Sequence, residues 1–192
     1  MKIGLLGASF NPAHLGHLYI SNLALKKLGL NQVWWFINDN PLKDQAAYKP
    51  YESRLEGCEQ ILQNHPKIKI KNIFRECIYT YDLVQKLKKK YPQAKFYFIM
   101  GADNLENFHR WKNFKKLLGL VEFVVFSREG YVARANANKA IQLYKKMRET
   151  KGEMKKVGKT NKVETKNNLP KISIMRNKNY DISSTKLRQL QK

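Results

Sequence analysis

Short apolar runs alternate with longer amphipathic stretches along this chain, and that alternation leaves few folds open. Ile3 to Leu6 reads as a buried strand ended by Gly7. From His17 onward Ile20, Leu23, Ala24 and Leu28 fall at helical spacing, and Gly29 supplies a stop. Val33 to Ile37 is a second strand, residues 51–63 a helix, and Ile68 with Ile70 a half-exposed third strand. Tyr79 to Tyr91 follows as a helix with a basic far side, ended by Pro92. Phe96 to Met100 is an apolar strand stopped by Gly101; a helix over Leu105 to Leu118 then leads into the strand Val121 to Phe126. This repetition predicts an α/β fold of three layers, a Rossmann-like, doubly wound parallel sheet covered by helices on both faces. Such sheets bind ligands outside the carboxyl ends of their strands. The turns after Leu6, Ile37 and Met100 are therefore where chemistry is expected.

A length of 192 residues suits a single domain, 1–192, large enough to bury a core without disulfides. One stretch stands apart. Residues 139–166 hold ten lysines and arginines against three acids, net +7. They begin as a helix through Ile141, Tyr144 and Met147 and then lose apolar periodicity. A lysine-rich flexible insertion is expected at about 148–168, before a strand at Ile172–Met175 and a last helix from Ser183.

Lys+Arg 37 against Asp+Glu 15 gives a net charge of +22, which suits either a nucleic-acid binder or a solvated lysine-rich surface. The lysines look spread over most helices rather than gathered with aromatics in one stripe, so no nucleic-acid partner is expected. With 43% hydrophobic residues the chain is not disordered, and no apolar run approaches the roughly 20 residues that span a bilayer. The apolar stretch after Lys2 is too short for a secretory leader. Cys58 and Cys77 match no disulfide framework or zinc site, so a reduced, cytoplasmic setting without a membrane is expected.

Three stretches carry chemistry. Directly after the first strand comes Gly7-Ala8-Ser9-Phe10-Asn11-Pro12-Ala13-His14-Leu15-Gly16-His17. Small residues there admit a ligand to the backbone, the next helix offers free N–H groups to an anion, and two imidazoles one turn apart add donors for phosphate. We read this pair as more than a helix cap. Near the other end, Asp181-Ile182-Ser183-Ser184-Thr185-Lys186-Leu187-Arg188 combines an N-cap signature with an arginine able to reach back to the same anion. The two stretches read as the jaws of a polyphosphate clamp. The third, Met100-Gly101-Ala102-Asp103-Asn104, places Asp103 to accept hydrogen bonds from ribose hydroxyls; Trp111, further on, either stacks on a flat heteroaromatic ring or packs with Phe108 and Phe114.

Together these stretches resemble the nicotinate-nucleotide adenylyltransferase family of the HIGH-type nucleotidyltransferase superfamily. The first is similar to the family's G-G-T/S-F-D/N-P-x-H-x-G-H, the middle to its G-A/Q-D…W, and the last to its I-S-S/A-T-x-I/L-R. Tyr79-Thr80 resembles its S-Y-T, with Ile78 where serine is usual, and Leu42 stands where the family often has histidine. The resemblance implies a nucleotidyltransferase-type fold and transfer of the adenylyl group of ATP to nicotinate mononucleotide. His14 and His17 are then catalytic, with His17 on the α-phosphate. Gly7, Ser9, Phe10, His17, Lys43, Gly101, Asp103, Ser183, Ser184, Thr185 and Arg188 would bind ATP, and Ala8, Ser9, Thr80 and Trp111 the mononucleotide. Arg54 and Arg128 fall where the family has basic residues, and one or the other of them, with Lys43 and Arg188, is expected to face anionic substrate. Mg²⁺ would arrive on the triphosphate, with no metal site in the protein. Nicotinamide mononucleotide and phosphopantetheine are the alternative acceptors, and a basic nucleic-acid-binding module is the alternative of another class.

Overall fold

The computed structural model describes residues 1–39, 48–127, 139–151 and 172–176. Its strands are β1 (Lys2–Ala8), β2 (Gln32–Ile37), β3 (Ile68–Ile70), β4 (Lys95–Gly101), β5 (Glu122–Ser127) and β6 (Ile172–Arg176). All pair in parallel, in the order β3-β2-β1-β4-β5-β6. The helices are α1 (Leu15–Leu28), α2 (Tyr51–Leu62), α3 (Thr80–Lys90), α4 (Leu105–Phe108), α5 (Phe114–Leu117) and α6 (Lys139–Lys151), with a 3₁₀ turn at Ala102–Asn104.

Two apolar layers follow from the twofold alternation of side chains along the strands. Ala24 of α1 and Cys58 and Leu62 of α2 pack on one face with Val33, Trp35, Ile99 and Val124. Leu83 and Leu87 of α3, Phe108 of α4, Leu117 of α5 and Ile141 of α6 cover the other, with Leu5, Trp34, Phe98 and Phe123. The chain therefore changes sheet face between β2 and β4, and the switch point falls between β1 and β4. Gly29 ends α1 in the left-handed conformation, φ 59°, as its position in the sequence suggests.

Two expectations need correcting. The helix expected over 105–118 is broken: α4 ends at Phe108, and Asn113 adopts φ 52° before α5 begins. In an unbroken helix Phe114 would sit about 240° around the axis from Phe108. The break lets both bury on the sheet, their rings perpendicular at 4.9 Å. At the other end α6 continues to Lys151, so the first residues of the proposed 148–168 insertion are helical, and the remainder lies outside the described residues, as does the helix expected from Ser183.

Gly4, unremarked in the sequence, is required by packing. A Cβ there would stand 2.7 Å from Ile99 Cδ1 and 2.9 Å from Leu30 Cδ1, both buried. Gly4→Ala should lower unfolding free energy by about 1–3 kcal/mol through overpacking. An unchanged urea midpoint would contradict this reading of the strand.

Candidate functional site

β1 ends where the sheet opens, and the chain turns sharply to enter α1. Phe10 takes φ 48°, a strained left-handed conformation for an aromatic residue. The turn sends its fully buried ring inward to stack on Trp35, centroids 4.6 Å apart and planes 21° from parallel. Asn11, also buried, accepts the Lys49 N–H at Oδ1, which ties the turn to the entry of α2.

The two histidines then build the start of α1. His14 is the N-cap; its Nδ1 accepts the Gly16 N–H at 3.1 Å, while its own N–H donates to His17 Nδ1 at 3.2 Å. This is a reciprocal capping box made from imidazoles. The rings lie 3.8 Å apart between centroids. Capping and ligand binding, treated as alternatives in the sequence, are thus compatible. With Nδ1 occupied as an acceptor, a neutral ring carries its proton on Nε2, so both imidazoles become Nε2–H donors. His17 packs 4.7 Å from Phe10 and 6.1 Å from Trp35. Burial there, reinforced by His14 beside it, pushes its pKa down to about 3. His17 is therefore a neutral donor at any ordinary pH.

A support that the sequence reading missed holds this pair in place. Trp35 Nε1–H donates to Ser21 Oγ at 2.9 Å, and Ser21 Oγ–H donates to the His17 carbonyl at 2.8 Å. Ser21 lies one turn after His17, on the face that meets β2; a polar residue at a core-facing position was the available signal.

Across the switch point, Gly101 leads into the 3₁₀ turn and the exposed Asp103 carboxylate curls back over it. A Cβ on Gly101 would collide with Asp103 Oδ1, so glycine leaves the room that this rotamer needs. Gly7 differs: a Cβ there would meet Asn38 and Phe98 only at an ordinary 3.6 Å, so packing does not demand glycine. Half-buried Trp111 stands perpendicular to both Phe98 and Phe108, at 5.8 and 5.1 Å, and thus does pack on the core. Lys112 next to it pairs with Asp82 at 2.9 Å and lies over the Tyr79 ring at 4.6 Å. That bridge draws the Trp111 segment to the start of α3, where Thr80 sits. Ile78 and Tyr79 are exposed large side chains at the same place.

The structure thus gathers Gly7, Ala8, Ser9, Phe10, His14 and His17 on one side of the switch point. Gly101, Asp103, Thr80 and Trp111 are on the other. Lys43, Arg128, Ser183, Ser184, Thr185 and Arg188 lie outside the described residues. Arg54 is corrected: its guanidinium does not face outward toward substrate but is 5% exposed, donating to the Ser9 carbonyl at 3.0 Å and standing 2.8 Å from Asp39 Oδ1. Tyr48 and Tyr51 flank it, and their ring faces favour the cation. Among the described residues no group of three His, Cys, Asp or Glu side chains could hold a metal ion. Nor is any of their helices long and apolar enough to cross a membrane.

Comparison with known proteins supplies independent information. Residues 5–190 match the cytidylyltransferase-like family model. The "Probable nicotinate-nucleotide adenylyltransferase" of Methylorubrum extorquens (strain PA1) is 40% identical over 148 residues, 75% of this chain and 79% of that protein. Its namesake in Ruegeria sp. (strain TM1040) is 38% identical over 151 residues, covering 77% and 79%. Among solved structures, the Plasmodium falciparum nicotinic acid mononucleotide adenylyltransferase complexed with NaAD superposes with a TM-score of 0.71. It covers 98% of this chain and 82% of its own at 18% identity, a likeness of fold.

The depressed His17 pKa has a measurable sign. An unfolded histidine takes up its proton near pH 6.5, the folded one only near 3. Its contribution to stability is therefore intact above pH 6.5 and is lost as pH falls toward 3. The urea midpoint should drop between pH 7 and pH 5, and the drop should shrink in His17→Gln. An equal drop in the variant would refute the assignment. In the facing strand end, Gly101→Ala should displace Asp103 and weaken binding of an adenosine nucleotide several-fold by calorimetry, with the melting temperature nearly unchanged.

Proposed function

The chain belongs to the cytidylyltransferase-like family and, within it, to the nicotinate-nucleotide adenylyltransferases, and from that membership we infer its reaction. It transfers the adenylyl group of ATP to nicotinate mononucleotide, giving nicotinate adenine dinucleotide and pyrophosphate, a step of NAD biosynthesis. The observation that carries the reading is the His14–His17 pair: two imidazoles that use Nδ1 to cap α1 and keep Nε2 as a donor, His17 held neutral by burial, at the mouth of the switch point.

The 5′-phosphate of the mononucleotide attacks the α-phosphorus of ATP in line; the bond from the α-phosphorus to the α,β-bridging oxygen breaks, and pyrophosphate leaves with that oxygen. The nucleophile is already an anion, so no protein base is needed. What the protein supplies is alignment and donors aimed at the α-phosphoryl oxygens. We assign that role to His14 and His17, assisted by backbone N–H groups of the turn Gly7 to Phe10. Gly101 and Asp103 hold the adenosine, and Ser183, Ser184, Thr185 and Arg188, with Lys43, the phosphates. Thr80 and Trp111 receive the pyridine ring and its carboxylate. ATP enters as a divalent-metal complex, Mg²⁺ in our reading, and the reaction is cytoplasmic.

Charge placement bears on the nucleic-acid alternative. Among the described residues, lysines crowd the last turns of α1 (Lys26, Lys27), α3 (Lys88, Lys89, Lys90) and α5 (Lys115, Lys116), so they are less dispersed than the sequence suggests. Helices between parallel strands run back toward the strands' amino ends, so these lysines lie at the edge opposite the crevice. There they complement the negative ends of the helix dipoles. That role accounts for them without a polyanion.

Each of His14→Ala and His17→Ala should lower kcat by about 10²–10³-fold, the cost of removing one preorganised donor. Pyrophosphate release reads this directly, and near wild-type turnover in both variants would refute the assignment. Across acceptors, kcat/KM should be highest for nicotinate mononucleotide, above nicotinamide mononucleotide and phosphopantetheine. A preference for either of the latter would overturn the substrate reading.

A further inference from the structure

The two residues assigned to the acceptor ring stand on different elements. Thr80 opens α3, and Trp111 lies in the segment between α4 and α5. That segment has little to hold it. The helices on either side are four residues each, too short to be stable by themselves, and Asn113 turns the chain through a left-handed φ of 52°. Its backbone bonds are local: the Arg110 N–H donates to the Asn107 carbonyl and the Trp111 N–H to that of Phe108. The Trp111 ring is half-buried and stands perpendicular to Phe98 and Phe108 without stacking on either.

Lys112 supplies the cross-link. Its ammonium donates to Asp82 Oδ2 at 2.9 Å and lies 4.6 Å from the centroid of the Tyr79 ring. Tyr79 is the N-cap of α3 and Asp82 lies in its first turn, so the two contacts bracket Thr80. Among the described residues this is the only hydrogen bond or ion pair from residues 109–113 to an element other than α4 and α5. Both contacts need a cation, one as donor to a carboxylate and one over a ring face.

We propose that Lys112 is a specificity-determining positioning residue: its bridge to Asp82 and Tyr79 fixes Trp111 relative to Thr80 and thereby sets the affinity for the acceptor. This rests on the adenylyl-transfer reading for the identity of the acceptor; the link between the two elements does not. ATP is assigned to other residues, so the bridge acts on one substrate alone. Lys112 is 44% exposed and Asp82 31%, so the pair is screened by solvent and its effect is several-fold rather than orders of magnitude.

The test uses the full chain with Lys112→Met, Lys112→Arg and Asp82→Asn. Lys112→Met should raise the KM for nicotinate mononucleotide about three- to fivefold, the size of one lost exposed pair. The kcat and the KM for ATP should stay within about twofold. Lys112→Arg keeps a cation that can meet the carboxylate and lie over the ring, and should stay near wild type. Asp82→Asn should repeat the methionine effect, and the double variant Lys112→Met/Asp82→Asn should lose no more than either single change. Without any nucleotide, the Trp111 indole N–H resonance of ¹⁵N-labelled protein should move in Asp82→Asn, a change on another element. An unmoved Trp111 resonance, an unchanged KM for the mononucleotide, or an equal rise in KM for both substrates would overturn the proposal. A wild type that makes no dinucleotide, with the Trp111 resonance still displaced by Asp82→Asn, would sink the reaction and leave the bridge standing.

Discussion

Everything the site contains depends on β1 lying in the interior of an all-parallel sheet, between β2 and β4. That placement forces the connections on its two sides onto opposite faces and leaves an opening above the β1 and β4 carboxyl ends. Gly4 allows it: without a side chain there, Leu30, Val33 and Ile99 close tightly around the strand. Given that pairing, the turn after Ala8 and the turn after Gly101 face each other with no further instruction, although 92 residues separate Ser9 from Gly101 in the chain.

At the opening, the atoms that build the fold are the same ones to which the proposed reaction assigns its chemistry. The Nδ1 atoms of His14 and His17 cap α1, and that use leaves the protons on Nε2. The Trp35–Ser21–His17 chain anchors the helix to β2, and the Phe10 ring fills the space beneath His17. Burial then keeps His17 uncharged, so in the proposed reaction it would serve as a donor without being a cation. The cations described around the site are mostly spoken for: Arg54, Arg75, Lys86 and Lys112 each stand by a carboxylate, Asp39, Glu52, Glu76 and Asp82 respectively.

Much of this was legible because the signals are local. Apolar runs of strand length, Gly29 as a helix stop, and two histidines one turn apart behind a glycine turn need no partner to be read. The break between α4 and α5 was not legible, since it depends on Phe108 and Phe114 competing for the same core. Arg54 was misjudged for the same reason. An arginine in a helix reads as a surface cation until the fold brings Ser9 and Asp39, 45 and 15 residues away, to its two arms. Ser21 went unread because its role lies in its contacts with Trp35 and the His17 carbonyl, and the first of these exists only once β2 lies beside α1.

The central claim is that two phosphates react directly, with His14 and His17 as donors to the transferred group and no protein atom bonded to the adenylyl group. The stereochemistry at the α-phosphorus tests it most directly. With ATP made chiral there by a single sulfur substitution, transfer to nicotinate mononucleotide should invert the configuration, as one in-line displacement requires. Retention would mean two displacements through a covalent adenylyl-enzyme, with His14 or His17 as the obvious nucleophile, and would contradict the account.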